Sequence, residues 1–145
     1  MAASTTERVD MVNNSRIQAV GIPVAASTAI FGGVYVGVNV AGHLVPMADA
    51  VALTFLGQAN GTADNRGGAD GALVCMVAPC SEVRFARLNA TSPGDSWIGS
   101  KVFFTDDNTV AKTSTFSNLA GRVLQVISSA VEGSVLVDLD ARQTL

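Results

Sequence analysis

Apolar and polar positions alternate over short stretches of this chain, and none sustains a helical period beyond about two turns. Val34 to Val40 is the cleanest case. Val34, Val36, Val38 and Val40 fall on one face, the period of two that marks a half-buried strand. Ile17 to Val20 alternates in the same way, and Gly32-Gly33 and Gly42-His43 punctuate the region. Leu44 to Met47 predicts a short edge piece, because Pro46 has no amide proton to give a central ladder. Val51 to Ala59 predicts a strand with Val51, Leu53 and Phe55 on one side. Ala72 to Ala78 and Glu82 to Leu88 predict a hairpin, although the second member does not separate its faces cleanly.

Asn60 to Gly71 (NGTADNRGGADG) is the longest loop signal. It offers no apolar face and is expected on the surface. Ser92-Pro93-Gly94-Asp95 predicts a turn, with Asp95 or Ser96 placed to cap one helical turn carrying Trp97 and Ile98. Further on, Val102 and Phe104 face away from Lys101 and Phe103, and Thr105 to Asn108 supplies a hairpin turn to Thr109 to Thr113. Arg122 to Ser128 and Ser134 to Leu139 form another pair around Glu132-Gly133. Strands recurring at about 8–12 residues predict an all-β fold, a small β-barrel or β-sandwich.

Met1 to Arg16 shows no sustained alternation, and its sizeable apolar anchors after Met1 are Val9, Met11 and Val12. Two readings stand for it: a frayed terminus, or an extended arm that orders across a neighbour. The folded domain is expected to run over residues 17–145.

At 145 residues the chain suffices for one domain. A domain of this size buries roughly 68–70% of its unfolded surface and needs neither metal nor disulfide to fold. Hydrophobic residues make up 48% and charged ones only 14%, against about 25% charged in an average soluble protein. Such a chain cannot cover its exterior with polar side chains. Part of its apolar surface is expected to be buried against neighbouring subunits or a larger assembly. The net charge is −3 and the nine Lys and Arg are scattered, which argues against a nucleic-acid partner. No apolar run approaches the ~20 residues that span a bilayer. The N-terminus lacks the apolar core of a secretory signal. The expected place of action is therefore the cytosol or an assembled particle.

No motif points to chemistry. Cys75 and Cys80 flank a gap containing Pro79 that fits neither zinc nor redox spacing. Two small semi-buried residues, or a disulfide across a tight turn, remain open. His43 is the sole histidine and is expected to be solvated in a turn. It has no second histidine for a metal site, and no serine lies in a G-x-S-x-G elbow. Asp64, Asn65 and Asp70 superficially resemble a Ca²⁺ loop, but they lack alternating acidic ligands and a terminal Glu. Asp106 and Asp107 are adjacent and point to opposite faces, which fits a turn rather than an acid/base pair. Gly99-Ser100-Lys101 lacks the upstream glycines of a phosphate loop. No catalytic residue, metal or cofactor is expected.

Five pieces occur in order: NRGGADGALVCMV from Asn65, EVRFARL from Glu82, IGSKVFFTDDNTVAKTS from Ile98, AGRVLQVIS from Ala120 and SVLVDL from Ser134. Together they resemble the capsid decoration (cement) proteins of tailed bacteriophages. The I-G-x-K-V-x-F-x-D-D-N-T-V segment is the most specific, while Met1 to Ala59 matches only loosely. The resemblance implies a non-enzymatic virion protein, a jelly-roll-like barrel or sandwich on the outer capsid surface. It would be made in the host cytoplasm and would bridge major capsid protein subunits. Such proteins commonly dock as homotrimers at three-fold positions, and some dock as dimers at two-fold positions. An arm over residues 1–16 would add a strand to a capsid edge, with Arg8, Val9, Met11, Val12 and Arg16 as the contact residues. The alternative is a β-sandwich that binds carbohydrate on a host surface, for which Trp97 and Tyr35 are the larger aromatic platforms. A small hydrolase built on His43 is the remaining rival.

Overall fold

In the computed structural model the described residues are 19–79, 83–88, 92–130 and 133–139. Their regular structure is twelve strands and one 3₁₀ turn, so the protein is all-β. The expected arm residues Arg8, Val9, Met11, Val12 and Arg16 lie outside the described residues, as do Cys80 and Glu132.

The first part of the chain supplies β1 (Val20–Pro23), β2 (Thr28–Ile30), β3 (Tyr35–Val38), β4 (Leu44–Pro46), β5 (Thr54–Ala59), β6 (Ala63–Asn65) and β7 (Val74–Pro79). Five of these form an antiparallel sheet in the order β1-β7-β5-β3-β4, and β2 pairs with β6 in a separate two-stranded sheet. The second part supplies β8 (Val83–Leu88), the 3₁₀ turn (Asp95–Trp97), β9 (Lys101–Phe104), β10 (Thr109–Ala111), β11 (Leu119–Ser128) and β12 (Ser134–Leu139). Their pairings run β10-β8-β12-β11-β9, and β9 pairs back to β10, so the five strands close a ring. All contacts in the ring are antiparallel except β10 with β8.

Several elements stand where the pattern places them. Pro46 lies on the edge strand β4, which pairs only with β3 within its sheet. Val102 and Phe104 are buried, whereas Lys101 is exposed. The β9–β10 and β11–β12 pairs form as expected.

Other expectations are corrected. The hairpin joining residues 72–78 to 82–88 does not form: β7 lies between β1 and β5, and β8 lies between β12 and β10. Cys75 and Val77 of β7 are buried against the first sheet's own core, and this packing outweighs nearness in sequence. Within β3 both faces are covered, because Val36 and Tyr35 are both buried on opposite sides. Val40 falls in the following turn and is 86% exposed, so the face predicted through Val40 ends at Val38. Val51 likewise sits exposed in a turn, and β5 begins three residues later. The glycine-rich run is not wholly superficial: it contains β6, with Ala63 and Asn65 buried. The 3₁₀ turn is preceded by Gly94 and has no side-chain cap, so neither Asp95 nor Ser96 plays that role.

Two buried clusters hold the fold. One face of the first sheet packs Val36, Leu44, Cys75 and Val77 against Val24, and against Ile30 and Ala63 of the β2–β6 pair. The ring encloses Val102, Phe104, Val110, Ala120, Val123, Val135, Val137 and Leu139, and the first sheet contributes Tyr35, Met47 and Phe55 to that cluster. Burying each larger side chain contributes roughly 1.5–3 kcal/mol. The crossing of Tyr35 and Phe55 into the second cluster makes the two parts one packed unit. Within the first sheet, Gly37 lets β3 lie close to β5 and to Met47, since a Cβ there would collide with the Thr54 carbonyl and the Met47 sulfur.

Candidate functional site

Three features deserve a functional test: the seam between sheet and ring, a cluster of turns at one end of the first sheet, and an apolar shelf beside the seam.

Aromatic contacts and hydrogen bonds hold the seam. The Phe55 and Phe104 ring centroids are 4.8 Å apart, and Tyr35 stands 5.5 Å from Phe104 and 6.1 Å from Phe55. The Tyr35 amide donates to the Asp107 carbonyl at 2.8 Å. Asp49 accepts the amides of Thr115 and Phe116, and those two N–H groups hold its carboxyl below the usual carboxylate range. Asn118 is buried and donates through Nδ2 to the carbonyls of Ala48 and Ala50, each at 2.8 Å. Asp106 takes the turn role expected of it, its Oδ1 accepting the amides of Asn108 and Thr109. Asp107 has a second role at the seam through its carbonyl. Burial, and secondarily the Asp106 charge, push its carboxyl above the ordinary value.

The turn cluster draws together residues 25–27, 39–43 and 64–73. Buried Asn65 donates through Nδ2 to the carbonyls of Ala25 and Ala69, each at 2.9 Å, and so ties the loop to the 25–27 turn. Asp64 is joined to Arg66 at 2.6 Å, and the hydrogen bond from that guanidinium lowers its carboxyl to about 2. Asp70 Oδ1 accepts the Ala26 amide at 2.7 Å. The three residues of the apparent Ca²⁺ loop thus have separate tasks. Among the described residues no three His, Cys, Asp or Glu side chains are grouped to hold a metal. The expectation of a solvated His43 is corrected: its Nδ1 is buried without a hydrogen-bond partner, 3.9 Å from Asp70 Oδ1.

The shelf follows from strand register. Tyr35, Gln58 and Ala78 are direct cross-strand partners and share one face, which continues along β7 to Met76 and Val74. Where β3 and β5 form that face it is buried in the ring cluster. On β7 it is uncovered, with Val74 57% and Met76 44% exposed. Gly21 lies beneath them, its absent Cβ leaving room for the Val74 side chain. Val74 and Met76 fall on one face of the strand and Cys75 and Val77 on the other, but all four are apolar, so nothing in the sequence tells which face is covered.

The remaining candidates do not converge. Cys75 is buried with a free thiol, which burial pushes above its ordinary value. Tyr35 is in the core, and half-buried Trp97 has the Lys112 ammonium 5.4 Å from its ring centroid. Neither presents an open aromatic platform. Gly99 adopts a positive φ of 84° and donates its amide to the Val123 carbonyl, a structural turn beside β11. No helix among the described residues is long and apolar enough to cross a membrane.

Comparison of the chain with protein-family models, with curated proteins and with solved structures finds no match.

Proposed function

We propose that this is a virion structural protein, a decoration protein that binds the outside of a tailed-phage head and cements major capsid protein subunits. The observation that carries the reading is the apolar exterior of a charge-poor chain. Val20, Phe31, Val40, Val51, Leu73, Val74, Met76, Ile98, Phe116, Leu124 and Ile127 are all exposed, and only 14% of residues are charged. Where such residues adjoin, as Val74 and Met76 do on one face of β7, they offer the kind of apolar surface that a partner covers. The ordered resemblance from Asn65 to Asp140 supports the same reading, and its most specific segment is the β9–β10 hairpin.

Within this proposal the ring is the small barrel typical of decoration proteins, and residues 1–16 are the arm that adds a strand to a capsid edge. Homotrimers at three-fold positions give each copy several simultaneous contacts, so modest individual affinities multiply. The shelf of Val74 and Met76 is an additional capsid-facing surface.

The test is to mix the purified protein with undecorated cognate heads. Stoichiometric co-sedimentation and increased resistance of the heads to heat or chelator are expected. Heads that sediment without the protein would sink the proposal. Removal of residues 1–16 should weaken binding and leave the folded domain intact, whereas unaltered binding would reject the arm's role alone.

A further inference from the structure

The turn cluster contains an incomplete ion pair. His43 is fixed by its backbone: its amide donates to Asn39 Oδ1 at 3.1 Å, and its carbonyl accepts the Asn39 amide at 3.0 Å. Asp70 is held from the other side by the Ala26 amide. The oxygen that accepts this amide also faces His43 Nδ1, and the 3.9 Å gap is too long for a hydrogen bond. Nδ1 is buried and has no partner among the described residues.

A neutral imidazole gains little at this distance, whereas an imidazolium carries a proton on both ring nitrogens and a charge opposite to Asp70. A charge-assisted N–H···O bond settles near 2.7–2.9 Å, so closure requires a movement of only about 1 Å. The other charged groups on the surrounding turns are Asp64 and Arg66, which already neutralise one another. Residues 25–27 and 39–43 contribute no other charge.

We propose that His43 and Asp70 form a proton-operated latch. Protonation of His43 draws its Nδ1–H onto Asp70 and fastens the glycine-rich loop to the 39–43 and 25–27 turns. Deprotonation releases that contact and leaves the loop held by its remaining bonds. Asp70 is 57% exposed, so solvent screens the pair and the effect is modest.

Because His43 is the sole histidine, its imidazole nitrogens can be followed by NMR in the full chain without ambiguity. The companion measurement is hydrogen exchange of the Ala26 amide at about pH 5.5 and about pH 7.5, corrected for intrinsic chemistry. The corrected Ala26 exchange should slow about threefold on acidification, in step with His43 protonation. Asp70→Asn retains an acceptor for Ala26 but removes the charge, and should abolish that step. His43→Gln leaves Asp70 charged and should abolish it as well. A flat wild-type profile, or a step that persists in His43→Gln, overturns the latch. Should Asp70→Asn lose Ala26 protection at both pH values, the His43→Gln comparison decides alone.

Discussion

The carboxylate of Asp49 accepts the backbone N–H of Phe116 at 2.7 Å, although 67 positions separate the two residues. The same carboxylate takes the Thr115 amide, so one side chain after β4 closes the loop that leads into β11. Asp49→Ala should therefore lower the thermal midpoint and raise hydrogen exchange at Thr115 and Phe116 above the rest of the ring. The folded pKa of Asp49 lies below its unfolded value. Its contribution is thus complete above the ordinary carboxylate value of 3.8 and is lost as pH falls through the folded value. Acid unfolding followed by circular dichroism should show a weaker pH dependence in Asp49→Asn than in the parent.

Asn118 makes the neighbouring contact from the other direction. Its two N–H donors satisfy the Ala48 and Ala50 carbonyls in a buried site. Asn118→Ala should cost about 1–3 kcal/mol in urea unfolding, the penalty of stranding buried polar groups. Asn118→Asp should cost more at neutral pH, because it sets a carboxylate against two carbonyl oxygens and removes the donors.

Phe104 is fully buried and touches the rings of both Tyr35 and Phe55. Phe104→Ala should cost about 3–5 kcal/mol. Because the cavity would open at the seam, fluorescence of Trp97, which packs against the ring's core, and exchange of β5 amides should report loss of structure together. Unfolding of the ring with β5 left protected would contradict the single packed unit described above.

Asp107 has the opposite pH behaviour to Asp49. Its folded pKa is raised, chiefly by burial, so deprotonation opposes folding and the cost is present at neutral pH. Asp107→Asn keeps the carbonyl that receives Tyr35 and should raise the thermal midpoint at neutral pH. The gain should shrink as pH falls through the folded value toward 3.8, where the parent's carboxyl becomes protonated in both states.

For the shelf, Val74→Asp and Met76→Asp place charge on side chains that are already exposed. Stability should change by no more than about 0.5 kcal/mol. Under the cementing proposal, co-sedimentation with heads should fall at least severalfold. Undiminished binding would remove this face from the capsid contact.

Alternation was a sound guide wherever one face of a strand meets a core and the other meets water. Val102 and Phe104, and the antiparallel pairing of β11 with β12, are instances. It failed where a strand is covered twice, as with Tyr35 and Val36 in β3, because period-two reasoning assigns only one buried face. It also failed at Val40 and Val51, apolar residues that turns leave in solvent. In β6, buried Asn65 substitutes hydrogen bonds for apolar contact and so resembled an ordinary loop residue.

The all-β character, several strands and turns, and the poverty of charge that leaves apolar surface outside are legible from the order of residues alone. These properties depend on local alternation, on proline and glycine, and on composition. Which strands are neighbours emerges from the packed fold, where β7 and β8 part company and pair in different sheets. It alone joined Asp49 to Phe116 and Asn118 to Ala48, and brought His43 within 3.9 Å of Asp70. Pairings across such separations depend on the simultaneous packing of the whole chain, which neither local propensity nor spacing encodes.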